Sequence, residues 1–401
     1  MKSKHVKETE VPNHRKIGQE LELFTTMEEA PGMPFFLPKG MAIRNELESF
    51  WKKQHQMAGY MEIKTPVMMK QSLWEQSGHW DHYHENMYFS RVDEQNYAIK
   101  PMSCPGAVLV FNSKRRSYRE LPLRYAELGL VHRHELSGSL NGLLRVRAFT
   151  QDDAHLFVRE DQVDSELSAI LDLIHSFYSK FGFSYKVELS TRPEDYMGSS
   201  EQWDKAEASL ENVLKNKGAS YQINPGDGAF YGPKIDFHIM DSLGRSWQCG
   251  TVQLDFQMPE NFNCTYINED NKESRPVMIH RAIYGSIERF MAILIEHYAG
   301  NFPFWLAPVQ VKLIPISEKQ AVYAEEAKKR LEQEGIRVEV DARSEKLGLK
   351  VREAELQKAA FMAVIGDREI EQSSLALRRH QEKEQNVLGL DEAVEFLLSF
   401  I

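Results

Sequence analysis

Residues 129–157 read GLVHRHELSGSLNGLLRVRAFTQDDAHLF. The second half alternates with the period of a strand: Arg145, Arg147, Phe149, Gln151, Asp153 and His155 face one way, and Val146, Ala148, Thr150, Asp152, Ala154 and Leu156 the other. The first half puts Val131, Arg133 and Glu135 together, and SGSLNG supplies the residues of a loop between antiparallel strands. A face carrying this many charged and polar groups cannot lie on an apolar core without a large desolvation penalty, so the hairpin is expected to floor a ligand cavity. The alternative is a solvated outer sheet face with scattered charges. Phe149 amid arginines and the Asp-Asp-Ala-His ending argue against it.

The chain of 401 residues is long enough for two or three domains, and 42% hydrophobic with 27% charged residues is ordinary for a globular protein. No apolar run approaches the roughly 20 residues of a membrane span. The start, MKSKHVKETEVPNHRKIG, lacks the apolar region of a secretory signal, so a cytoplasmic location without a membrane partner is expected. Cys104, Cys249 and Cys264 are an odd, sparse set, which argues against a disulfide framework and leaves metal ligation or burial. With a net charge of −10, a nucleic-acid partner must be met by a local basic patch.

Working outward, the pattern predicts a helix over 12–24, an extended or turned stretch over 31–40 and an amphipathic helix over 41–58. Residues 60–69, YMEIKTPVMM, alternate like a strand, and Pro66 inside them demands a sheet edge or a subunit boundary. SGHWDHYHENMY, residues 77–88, is rich in aromatics and histidines. The spacing of His79, His82 and His84 fits no common structural zinc site, so a surface loop over the pocket is expected, with one histidine reaching the chemistry. In YAIKPMSCPG, residues 97–106, two prolines fix a stiff turn around Cys104, which is either a buried small apolar group or a preset thiolate ligand.

Helices are predicted over 162–181 and 199–217, followed by a glycine-rich turn with Tyr231 and Lys234 and a strand. SWQCGTVQLDFQMP is a further alternating strand, whose Gln248, Gly250 and Thr251 are candidates to touch a ligand. Residues 276–298 read as a strand turning into a helix at Gly285-Ser286, with Arg289 either on the outer face of that helix or aimed across the hairpin. From residue 309 onward, short strands alternate with helices over 319–333, 346–360 and 390–400, a βαβ domain with a mostly parallel sheet.

Three signatures in order, the proline-bearing TPVMM, the HRHE…RVRAFTQDDAH hairpin and the GSIERF helix start, resemble the class II aminoacyl-tRNA synthetases. KPMSCPG, TQDDAH and MIHRAIYGS narrow the resemblance to the threonyl-tRNA synthetase family, from about residue 14 to the end, without that family's amino-terminal editing portion. The resemblance implies an α+β fold: an N-terminal lead-in over 1–20, a class II catalytic domain with an antiparallel sheet flanked by helices over 21–305, and a smaller α/β anticodon-binding domain over 309–401. It implies activation of threonine with ATP and transfer to the 3′ end of tRNA(Thr) by a homodimer paired through its catalytic domains. With no editing portion, release of mischarged Ser-tRNA(Thr) is also expected.

The same resemblance assigns residues. Cys104, His155 and His280 become ligands of one zinc ion per subunit, which selects threonine over isosteric valine through the hydroxyl. Arg133 would hold the α-phosphate of ATP, which comes with Mg2+, and Arg289 would sit over the adenine with Phe149 opposite. Glu135, Arg145, Gln248 and Thr251 complete the ATP set. Met102, Gln151, Asp153, Tyr231, Lys234 and Gln253 would surround threonine, and His79 would relay a proton at the terminal ribose of tRNA. Arg343, Lys346, Lys350 and Arg352 would form a basic face toward tRNA. The chain departs from the family pattern at Ser103 and Ser344, where Asn is usual, and at Ala107. Two other classes remain in view: a ligase that delivers its amino acid to a carrier or small molecule, and a catalytically silent RNA-binding relative.

Overall fold

The computed structural model describes residues 11–241 and 244–401, so half of the expected 1–20 lead-in lies outside the described residues. These residues form two compact units, one of 28–34 and 50–293, the other of 11–27, 35–49 and 294–401.

The first unit is built on an eight-stranded sheet. Its strands lie in the order Tyr221–Asn224, Ser184–Ser190, Lys234–Met240, Ser246–Asp255, Val277–Ser286, Ala148–Val158, Leu123–His132 and Met61–Glu62. Neighbours are antiparallel except the outermost pair at each end, which is parallel. The hairpin forms as the alternation requires: Val131 pairs with Phe149, Gly129 with Gln151, Glu127 with Asp153 and Tyr125 with His155. One face carries the polar groups. The other packs on helix Val163–Lys180, which buries Leu167, Ile170, Ile174 and Phe177. Phe177 meets Phe50 and Tyr284 with ring centroids 4.9 and 5.4 Å apart, and Phe181 meets Phe290 at 5.0 Å. Each such buried side chain contributes about 2–3 kcal/mol of transfer free energy.

Three expectations change here. The strand over 60–69 breaks at Pro66 into Met61–Glu62, on the edge of the large sheet, and Met68–Lys70, which joins Gln95–Ile99 and Tyr88–Val92 in a three-stranded sheet. A proline has no N–H to give a ladder, so the break falls there. Residues 77–88 are not a surface loop: they fold into a helical turn, His79–Tyr83, and a 3-10 turn, His84–Asn86. Cys104 is not in a stiff turn but opens helix Cys104–Asn112, with Pro105 in the first turn, where a missing N–H leaves nothing unpaired.

The second unit carries a five-stranded sheet in the order Val338–Val340, Val311–Pro315, Phe361–Ile365, Ser374–Arg379 and Gln385–Gly389. The first three strands are parallel, as the alternating pattern predicts; the last two are antiparallel additions it did not reveal. Helices Glu318–Glu332, Leu347–Leu356 and Leu390–Leu398 cover the sheet, whose core includes Val311, Leu313, Leu331, Phe361, Leu375 and Leu397. At the front, the helix expected over 12–24 is only His14–Glu20, because Glu22 turns the chain with φ 55° and Phe24–Thr25 pairs with Phe35–Phe36. Pro38 starts helix Pro38–Met57 inside the stretch expected to be extended. No helix among the described residues is long and apolar enough to cross a membrane. The result is the α+β architecture expected from the sequence, a large mostly antiparallel sheet with helices and a smaller, separate sheet.

Candidate active site

The polar face of the large sheet floors a cavity of about 510 Å³. From the hairpin, Arg133, Glu135, Arg145, Phe149, Gln151, Asp153 and His155 all line it. Arg147 does not: its guanidinium donates to the carbonyls of Glu135 (2.9 Å) and Pro31 (3.2 Å) and ties down the loop. From the other strands and turns come Met102, Cys104, Tyr231, Lys234, Gln248, Thr251, Gln253, His280 and Arg289. The solvated-face alternative therefore fails, and Arg289 is aimed into the cavity rather than outward.

Among the lining residues are Cys104, His155 and His280, all buried, each offering one ligand atom, with these atoms within 4.8 Å of one another. Adjacent strands bring the histidines together, since His280 and His155 are paired in register. Asp255 Oδ2, fully buried, lies 2.9 Å from His280 Nε2. A neutral ring that donates Nε2–H to Asp255 carries its lone pair on Nδ1, the arrangement seen when a carboxylate orients a metal-binding imidazole. Burial pushes the Cys104 thiol well up and His155 well down, so the imidazole is neutral and ready to ligate. One sulfur and two imidazoles fit zinc with a position left open.

Beside this set, Gln151 Oε1 is buried with no hydrogen-bond partner. Asp153 lies next to it on the same face, its pKa raised to about 7 by burial and then by Asp152 and Glu127. The Tyr231 hydroxyl donates to Gln253, and its ring tilts against His280 at 5.0 Å. Lys234 donates to Asp227 and Asp236, each at 3.0 Å. Burial alone would lower its pKa, but the two carboxylates outweigh that and raise it. Acceptors thus converge where a ligand amine or hydroxyl would supply the missing donors.

Arginines line the same cavity. Arg133 lies over the rings of Phe149 (5.2 Å) and Tyr83 (5.7 Å) and donates to Pro101 O at 3.2 Å. Arg289 Nε donates to Leu144 O at 3.1 Å and its NH1 to Gln248 O at 3.0 Å. Arg145, half exposed, faces Glu135 at 3.9 Å. Gln248 donates to Asp236 at 2.7 Å.

Two expectations need correction. His79 is fully buried and is not among the cavity-lining residues; Nδ1 lies 2.8 Å from Ser77 Oγ, and Nε2 lies 3.2 Å from Met102 Sδ and 3.7 Å from Cys104 Sγ. Burial, then His280 and Arg133, push its pKa down to about 3. His82 and His84 point elsewhere, His82 to Asp195 and Phe230 and His84 to Phe89 and Trp80. In the second unit, Lys350 is not on a basic face: it is buried and donates to the carbonyls of Pro315 and Asp341, both at 3.1 Å. Arg343 is bound to Asp341 at 2.6 Å, while Lys346 and Arg352 are exposed.

Tyr83, Phe230, Cys249 and Ser286 also line the cavity, though no pattern in the sequence assigned them to a ligand site. Asp255 was within reach: continuing the alternation Thr251, Gln253 lands on it.

A mostly antiparallel sheet whose central hairpin lifts arginines into a cavity defines the class, a class II aminoacyl-tRNA synthetase core. Residues 88–298 match the family described as the tRNA synthetase class II core domain (G, H, P, S and T), and residues 310–400 match the anticodon binding domain. The chain belongs to the threonyl-tRNA synthetase family. It is 58% identical to the threonine–tRNA ligases of Acetivibrio thermocellus and Carboxydothermus hydrogenoformans over 99% of its own length, and spans 62% of theirs. Among solved structures it resembles the RNA binding domain of threonyl-tRNA synthetase from Cryptosporidium parvum Iowa II, with a TM-score of 0.94 and 41% identity over 97% of this chain and 98% of that one. A putative threonyl-tRNA synthetase from Aeropyrum pernix follows at 0.83 and 32%, over 96% and 94%.

Proposed function

We propose that this chain activates L-threonine with ATP, forming threonyl-adenylate, and transfers the threonyl group to the 3′ end of tRNA(Thr). The observation that carries this reading is the sharing of one cavity by a Cys-His-His donor set and an arginine-lined nucleotide end. Cys104, His155 and His280 would hold zinc, which when bound would supply a Lewis acid able to favour threonine over valine through the hydroxyl. Gln151 and Asp153 accept from the amine and hydroxyl, Tyr231 and Gln253 close the side of the pocket, and Met102 and Lys234 complete it.

In the first step the threonine carboxylate attacks the α-phosphorus and pyrophosphate leaves. Arg133 neutralises charge on the α-phosphate, Arg145 meets the γ-phosphate, and Arg289 with Phe149 holds the adenine, assisted by Gln248 and Thr251. Glu135 takes the adenine amino group or the Mg2+ that accompanies ATP. In the second step a terminal ribose hydroxyl of tRNA attacks the threonyl carbonyl and AMP leaves. His79 has no exposed atom, so it meets that ribose only if its cover moves; as it stands, its neutral ring backs Met102 and Cys104.

The domain reading follows the same line, a catalytic portion over 21–305 and an anticodon-binding portion over 309–401 in which Lys346, Arg352 and Arg343 meet tRNA. Edge strand Met61–Glu62, followed by Pro66, supports a homodimer paired through the catalytic portion, and the location is cytoplasmic. The test is threonine-dependent exchange of pyrophosphate into ATP, followed by aminoacylation of tRNA(Thr). Exchange without tRNA charging would favour a carrier ligase, and neither activity would favour a silent relative.

A further inference from the structure

Between the paired residues Ala282–Asp153 and Ser286–Gln151, the two strands are unequal: residues 283–285 on one side face Asp152 alone on the other. A bulge of this kind takes three backbone N–H groups out of the ladder in a buried place. The fully buried Asp152 carboxylate accepts all of them, Oδ2 from Ile283 (2.9 Å) and Tyr284 (3.0 Å) and Oδ1 from Gly285 (2.9 Å). Gly285 has φ +80°, and a Cβ there would lie 2.5 Å from Cys249 O, so only glycine fits at this point of the bulge. Directly after it, Ser286 Oγ accepts the N–H of Arg289 at 3.1 Å at the start of helix Ile287–His297.

We propose that Asp152, which points away from the cavity, is a positioning residue: by fixing the bulge it sets where Arg289 enters the nucleotide end. The inference rests on the reading of Arg289 as a nucleotide contact. It gives Asp152 a role distinct from that of its neighbour Asp153 on the opposite face. An acceptor-only carboxylate is required there. Asp152→Asn keeps the size but turns an N–H donor toward backbone N–H groups.

The experiment compares wild type and Asp152→Asn by steady-state pyrophosphate exchange and by amide hydrogen exchange of residues 283–285. The expected result is a KM for ATP raised about tenfold or more, a KM for threonine changed by less than about twofold, and amides 283–285 exchanging about tenfold faster. Unchanged ATP dependence with unchanged amide protection overturns the proposal. Should Asp152→Asn not fold, Asp152→Glu takes its place, where a selective loss on ATP supports the proposal and an equal loss on both substrates overturns it. If wild type shows no threonine-dependent exchange, the functional reading fails on its own. Amide protection at 283–285 and the position of Arg289 in a crystal of the variant then decide the positioning role: both disturbed supports it, both unchanged overturns it.

Discussion

Replacing Asp255 by asparagine tests the metal seat through a residue that does not touch the metal. Asp255 uses its two oxygens differently: Oδ2 faces His280 Nε2 at 2.9 Å, and Oδ1 accepts the N–H groups of Gln257 (2.7 Å) and Met258 (3.0 Å) at the start of helix Gln257–Asn261. Asparagine keeps Oδ1 on those amides and so turns its NH2 toward His280. Nε2 must then accept, which moves the ring proton to Nδ1, the nitrogen needed as a ligand. The variant keeps its helix start and loses the right tautomer. A charge-assisted hydrogen bond of this kind is worth about 1.5–3 kcal/mol, so zinc retention falls about 10–100-fold. The assay is competition with a chromophoric chelator, with thermal unfolding of the metal-free protein as control. Asp255→Asn protein that holds zinc as tightly as wild type, with unchanged melting, would refute the reasoning.

Other outcomes follow from buried charge and exposed charge. His55 is buried, its Nδ1 2.6 Å from Trp51 O, with its pKa lowered to about 2 by burial and by Arg281. Its stabilising contribution is therefore complete above pH 6.5 and is lost as pH falls below it; at pH 5.5 the loss is about 1.4 kcal/mol, read by urea unfolding, and His55→Asn flattens that dependence. Lys100 and Glu127 form a fully buried pair at 2.9 Å, joined by Thr65, so Glu127→Gln leaves the buried Lys100 without its carboxylate and destabilises by about 3–5 kcal/mol in the same assay, whereas an unchanged midpoint would contradict a structural role for the pair. Lys346→Ala and Arg352→Ala each weaken tRNA binding in filter assays and reduce its salt slope by about 1, while Lys350→Met lowers stability and leaves the slope alone.

The hairpin was legible because its alternation is strict from Phe149 to His155 and because a face of arginines and carboxylates has no structural use. The same period would have reached Asp255. The histidine-rich stretch misled for a physical reason: polar residues suggest exposure, yet His79 is neutral, wedged between Trp74 and Phe230 and against Met102, and behaves as a core residue. Lys350 repeats the lesson, since two carbonyls rather than solvent satisfy its ammonium. What alternation cannot express is uneven pairing: the bulge at 283–285 and the antiparallel strands Ser374–Arg379 and Gln385–Gly389 depend on partners far along the chain.

Anomalous scattering from crystals of the active protein, measured above and below the zinc edge, tests the metal seat most directly. A single peak per chain bonded to Cys104 Sγ and to one ring nitrogen each of His155 and His280 is predicted, with threonine's nitrogen and hydroxyl completing the coordination in a soaked crystal. Active crystals with no peak there, and threonine bound elsewhere in the cavity, would contradict it.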